Sequence, residues 1–107
     1  LAQLLGVPCG NASEGPFFAV YINDGLTLDF IETDEDFPVE HFCFRVSEKE
    51  FDSILGRIQA AGISYRSSVR GPVDGLVNTD YGGRMIYWNV PEGHQWEILT
   101  VSYARQK

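Results

Sequence analysis

Val39-Glu40-His41-Phe42-Cys43-Phe44-Arg45-Val46, followed at once by Ser47-Glu48-Lys49-Glu50-Phe51, reads as a strand running into a capped helix. In the first part Phe42, Phe44 and Val46 fall on one face and Val39, His41, Cys43 and Arg45 on the other, the two-residue alternation of a half-buried strand. In the second, Ser-x-x-Glu is the pattern in which the serine hydroxyl takes the amide three residues on, while the glutamate takes the amide of the serine. Phe51, Ile54, Leu55, Ile58 and Ala61 then recur at helical spacing, and Gly62 can adopt the left-handed conformation that stops a helix. The apolar strand face is expected to receive this helix, which leaves His41 on the opposite face.

Downstream, residues 63–67 predict a short strand and residues 68–83 a loop rich in turn formers, interrupted by Leu76-Val77. Residues 84–90 and 95–101 predict two more strands, reversed through Pro91-Glu92-Gly93-His94. In the first of these Met85, Tyr87 and Asn89 share one face, and Arg84, Ile86 and Trp88 the other. The order is strand, helix, strand, strand, strand.

Upstream the same order recurs in part. Residues 1–5 resemble the last turn of an amphipathic helix closed by Gly6, residues 10–15 predict a loop, and residues 17–22 and 26–31 form a hairpin about Asn23-Asp24-Gly25. Asp29 and Glu97 occupy matching places on the last strand of each half, and the acidic run from Glu32 to Asp36 links the halves. His41 lies 21 residues before Gly62, and the same count back from Gly6 falls about 15 residues ahead of Leu1. The expectation is therefore one domain, with residues 1–36 a partial first module lacking its opening strand and most of its helix, and residues 37–107 a second, complete module.

The chain has 107 residues, 44% of them hydrophobic and 21% charged, which suffices for one core and is too little charge for disorder. Eight Lys and Arg against 15 Asp and Glu give a net charge of -7, a field that repels nucleic acid and anionic membranes. The apolar runs are far shorter than the roughly 20 residues a membrane-spanning helix needs, and no signal peptide is visible, which points to a cytoplasmic protein. Cys9 and Cys43 stand alone without Cys-x-x-Cys spacing and read as reduced thiols.

Three residues are candidates for chemistry: His41, Glu97 and Asp29. An imidazole and a carboxylate on one sheet are donors that Fe, Mn, Ni or Zn accept, and an ion with open positions polarises a bound oxygen. A hydrogen-bonded strand histidine and a solvated or Arg-paired carboxylate are the competing, purely structural readings. Taken together, the His41 strand, the helix ending Ala60-Ala61-Gly62-Ile63, the segment Gly82-Gly83-Arg84-Met85-Ile86-Tyr87-Trp88 and the hairpin Pro91-Glu92-Gly93-His94-Gln95-Trp96-Glu97-Ile98 resemble the second module of the vicinal oxygen chelate superfamily. That superfamily holds glyoxalase I, extradiol dioxygenases, fosfomycin-resistance transferases and bleomycin-resistance binding proteins. Leu4-Leu5-Gly6-Val7-Pro8 resembles its helix-ending phrase in the first module.

The resemblance implies an α+β fold of two βαβββ modules, whose curled, mixed and antiparallel sheet surrounds a cleft holding a divalent metal ion. It implies His41 and Glu97 as ligands, a further ligand on the first module's opening strand, and an acidic residue on that module's last strand, for which Asp29 is the candidate. The Asp here is shorter than the family's usual Glu, and Val90 stands where many members place Asp. Tyr87 is the candidate catalytic group, with Met85, Tyr87 and Arg45 as candidate substrate contacts; an aromatic in the core and an Arg paired to an acidic neighbour are the alternatives. The function implied is a metal-dependent enzyme, a dioxygenase or glyoxalase-type lyase, acting on a small molecule with two chelating oxygens. The alternative is a non-catalytic protein that sequesters a cationic or aromatic drug, for which the net charge and Tyr81, Tyr87, Trp88 and Trp96 speak. Either is expected to be a homodimer.

Overall fold

The structure, a computed structural model, describes residues 1–90 and 93–102. The chain is α+β and forms two compact units, Leu1–Phe37 and Pro38–Lys107. Among the described residues no helix is long and apolar enough to cross a membrane.

In the first unit α1 (Ala2–Leu5) ends at Gly6, whose φ of 73° is the left-handed closure expected there. An antiparallel sheet follows, ordered β1 (Cys9–Asn11), β2 (Phe18–Asn23) and β3 (Leu26–Phe30). The β2–β3 turn is drawn in by Asn23, whose side-chain oxygen accepts the Gly25 amide at 2.8 Å. Strand β1 lies where a loop was expected. Cys9, Gly10 and Asn11 show no apolar alternation, yet all three pair with β2, and the Ala12 amide closes on the Phe17 carbonyl at 2.8 Å.

The second unit orders β4 (His41–Arg45), β6 (Gln95–Leu99) and β5 (Met85–Asn89), with β6 in the middle, parallel to β4 and antiparallel to β5. Helix α2 (Glu48–Ala60) begins at Ser47 with both halves of the capping box formed: the Glu50 amide donates to Ser47 Oγ at 3.1 Å and the Ser47 amide to Glu50 Oε1 at 2.8 Å. Beyond Ala61, Gly62 has φ 69°. The helix buries Phe51, Ile54 and Ile58, and the sheet buries Ile86, Trp88, Trp96 and Ile98. Arg84 shows which sheet face the helix covers. It shares the parity of Ile86 and Trp88, and its guanidinium reaches α2, bonding Glu48 Oε1 at 2.9 Å and Asp52 Oδ1 at 2.7 Å above the Phe51 ring. The other face, with His41, is turned away from the helix as the alternation of 39–46 requires.

The strand expected over 63–67 shrinks to one bridge, Arg66 with Tyr87. Past it, Asp74 takes the amides that would continue a ladder: its Oδ1 accepts Ser67 N and Leu76 N, each at 3.0 Å. The Ser67 hydroxyl, and after it these amides, hold the Asp74 carboxyl below its ordinary range. Pro91 and Glu92 of the expected hairpin lie outside the described residues; Val90 and Gly93 flank them, joined by a 2.9 Å bond from Gly93 N to Val90 O.

The capping box carries a stability prediction. Ser47→Ala should cost about 1 kcal/mol near neutral pH, read by denaturant unfolding. Hydrogen bonds from the Ser47 amide, then from its hydroxyl, lower the Glu50 pKa in the folded chain. A lowered carboxyl pKa contributes stability above the unfolded value of about 4.3 and loses it as pH falls through the folded value, so the Ser47→Ala deficit should narrow in acid. A deficit that grew below pH ~4 would contradict this coupling.

Candidate functional site

The strand registers of the second unit build the face opposite α2 as three rows. His41, Gln95 and Asn89 form one; Cys43, Glu97, Tyr87 and Arg66 the next; Arg45, Leu99 and Met85 the third. Successive residues of a strand point to opposite faces, so these side chains share a surface because their strands pair in this register.

His41 and Glu97 meet on that surface: His41 Nε2 and Glu97 Oε1 are 2.9 Å apart. The imidazole is 38% exposed and the carboxylate fully buried. Glu97 Oε2 is buried without a hydrogen-bond partner among the described residues. A carboxylate withdrawn from water with one oxygen unsatisfied is costly, and a cation beside it removes the cost. The Cys43 thiol, next to Glu97 in its row, is pushed up to about 12, first by desolvation, then by the Glu97 charge and by a hydrogen bond with the Glu97 side chain. It is therefore neutral near pH 7.

Tyr87 is buried, its ring centroid 6.0 Å from that of His41, and its hydroxyl donates to Met85 Sδ at 3.5 Å. Met85 and Leu99 are buried beside it and form an apolar floor. Arg45 is exposed on the same face one row beyond Cys43, where the strand runs into α2. Asp29 belongs to the first unit, on β3, where it pairs with Ala19 and is exposed. Among the described residues no three His, Cys, Asp or Glu side chains are grouped as a metal-binding set.

Arg66 is the residue the sequence reading passed over. It is buried on the same surface, bonded through Nε to Ser68 O at 3.1 Å, through one terminal nitrogen to Asn89 Oδ1 at 2.7 Å and through the other to Val69 O at 3.2 Å. The signal for it was the alternation within 63–67, which sets Ser64 and Arg66 against Ile63 and Tyr65.

No protein-family model matches the chain, and no curated protein does. Among solved structures, "Oxidase ChaP-H2" is 38% identical, with a TM-score of 0.87 over 95% of this chain and 80% of that one. "Oxidase ChaP-H1" is 36% identical, with a TM-score of 0.87 over 95% and 82%. A fosfomycin resistance protein, FosX, from Listeria monocytogenes shares the fold at 22% identity and a TM-score of 0.65, covering 96% of this chain and 78% of that one.

Proposed function

The chain belongs to the vicinal oxygen chelate superfamily, and from that premise we propose that it is a metal-dependent enzyme acting on a small molecule that presents two oxygens to the ion. One observation carries the reading: an imidazole and a fully buried carboxylate meet at 2.9 Å, and the second carboxylate oxygen has no hydrogen-bond partner among the described residues. That donor set fits a divalent ion such as Fe, Mn, Ni or Zn, with His41 and Glu97 holding it. Asp29 stays in the proposal as a further ligand on the strength of the resemblance alone. When bound, the ion supplies Lewis-acid activation of the substrate's oxygens.

The chain's own residues do the rest. Glu97, held out of water, directs its carboxyl group at the site, where a low local dielectric strengthens its hold on a cation. Met85 and Leu99 exclude water from the floor beneath the substrate. Tyr87, its ring 6.0 Å from the imidazole and its hydroxyl held by Met85 Sδ, positions the substrate or moves a proton to it. Arg45 is a candidate for an anionic substituent at the rim. Of the two reaction types the sequence leaves open, the names of the two ChaP oxidases favour oxygen chemistry over a glyoxalase-type rearrangement. A cytoplasmic homodimer completes the proposal, checked by light scattering in solution.

The test is a metal titration of purified protein by calorimetry. Wild type should bind one of these ions, and His41→Ala should weaken it by roughly 10- to 100-fold or more, since even outer-shell partners of a metal ligand cost that much. Absence of binding by wild type, or equal binding by His41→Ala, would overturn the reading in favour of a metal-free binder of aromatic or cationic drugs.

A further inference from the structure

Arg66 is more than nine-tenths buried, and all three of its hydrogen-bond acceptors are neutral: two backbone carbonyls and the Asn89 amide oxygen. No carboxylate lies within ion-pair distance of it among the described residues, although the chain holds 15 Asp and Glu. Arg84, in the same unit, takes two carboxylates. A guanidinium has five N–H donors, so these bonds leave two, one on each terminal nitrogen. Carrying a full charge merely to hold carbonyls is costly, because neutral donors would serve and a buried charge without a counter-charge is penalised.

The Arg66 side chain also lies on the functional face. Arg66 and Tyr87 exchange both backbone bonds at 2.9 Å, which sets their side chains on one side of the sheet, in the row that contains Glu97. Gln95, beside His41 in the neighbouring row, approaches the same Val69 carbonyl that Arg66 bonds, at 3.5 Å. The surface thus runs from a cation with no carboxylate partner among the described residues, across the Tyr87 ring, to His41 and Glu97.

We infer that Arg66 binds an oxyanionic group of the substrate, a carboxylate or a phosphate-type group, at the end remote from the oxygens that lie at His41 and Glu97. The two remaining N–H groups match two oxygens of such a group. The chain's charge of -7 repels anions in bulk, so an anionic substrate needs a local cation of this kind. The substrate class rests on the enzyme reading given above, whereas the anion site stands on the geometry of Arg66.

The experiment uses metal-free protein labelled with nitrogen-15, titrated separately with benzoate and with inorganic phosphate, following the Arg66 Nε–H resonance. One or both anions should move it saturably, and whichever does identifies the group as carboxylate or phosphate-like. Arg66→Gln should bind that anion about tenfold or more weakly, with Arg66→Lys between it and wild type, because the point charge survives and the fork does not. Metal affinity should be the same in Arg66→Gln as in wild type. Failure of both anions to move the resonance, or equal anion affinity in Arg66→Gln, overturns the proposal. Should Arg66→Gln fail to fold, the wild-type resonance and Arg66→Lys still decide. Anion binding by a protein that binds no metal would sink the metal-enzyme reading and leave Arg66 standing, so the two failures are distinct.

Discussion

Glu97→Gln is expected to bind the metal about a hundredfold more weakly than wild type while leaving the metal-free chain as stable as before, or more so. The two halves have one cause. In the metal-free protein a carboxylate with no exposed surface shares Oε1 with His41, and Oε2 has no hydrogen-bond partner by geometry among the described residues. Its burial opposes folding through desolvation, against which stand the contact to His41 and a hydrogen bond with the Cys43 thiol. The amide has the same shape and can keep the bond to His41 while removing the charge, at the smaller cost of an unpaired N–H, ~1 to 3 kcal/mol. With the ion present the sign reverses. Removing the charged partner of a buried cation costs ~3 to 5 kcal/mol, and each 1.4 kcal/mol is about tenfold in affinity. Calorimetry gives the first quantity and thermal unfolding in chelator the second. A drop of more than about 2 kcal/mol in metal-free stability would mean that the carboxylate is satisfied inside the fold and the site reading is wrong.

The contrast between Glu97 and Arg66 shows how far a sequence carries a site. Glu97 and His41 were legible because each sits on a strand whose alternation assigns it a face, and because the surrounding phrases resemble a known module. Their contact across one row follows from the parallel register of β4 and β6, which alternation does not specify. Arg66 was not legible as a site residue. Its importance arises from what is missing around it, a carboxylate, and a one-dimensional pattern of polar and apolar residues records no such absence. The helix was the easiest element to read, since Ser47, Glu50 and Gly62 all act through bonds and dihedrals local in sequence. Strand β1 and the lost strand at 63–67 mark the opposite case. Cys9-Gly10-Asn11 pairs through its backbone alone, and Asp74 draws backbone amides away from a ladder by side-chain bonds that no apolar pattern reveals.

Trp96→Ala should be the most damaging single change to the second unit, at a cost of ~3 to 5 kcal/mol. Trp96 is 1% exposed on the central strand β6, between Phe42 of β4 and Trp88 of β5 in one row. Its ring stacks on Phe42 at 4.8 Å between centroids and on Phe44 at 6.0 Å. Each such pair adds about 0.5 to 1.5 kcal/mol beyond the area it buries, and a central strand offers no edge through which the neighbours can relax into the void. For a chain of this size the loss should lower the midpoint of thermal unfolding by ~15 to 30 °C, a large share of a typical domain's stability. Trp88→Phe is the control, because it keeps an aromatic ring in the same row and removes far less volume than Trp96→Ala. The smaller void means that this change should cost less than Trp96→Ala although Trp88 is just as buried. Equal losses at the two positions would show that the volume removed does not set the cost. The expected inequality would show that packing at Trp96 holds the row that supports the helix face, and with it the strand from which Glu97 projects.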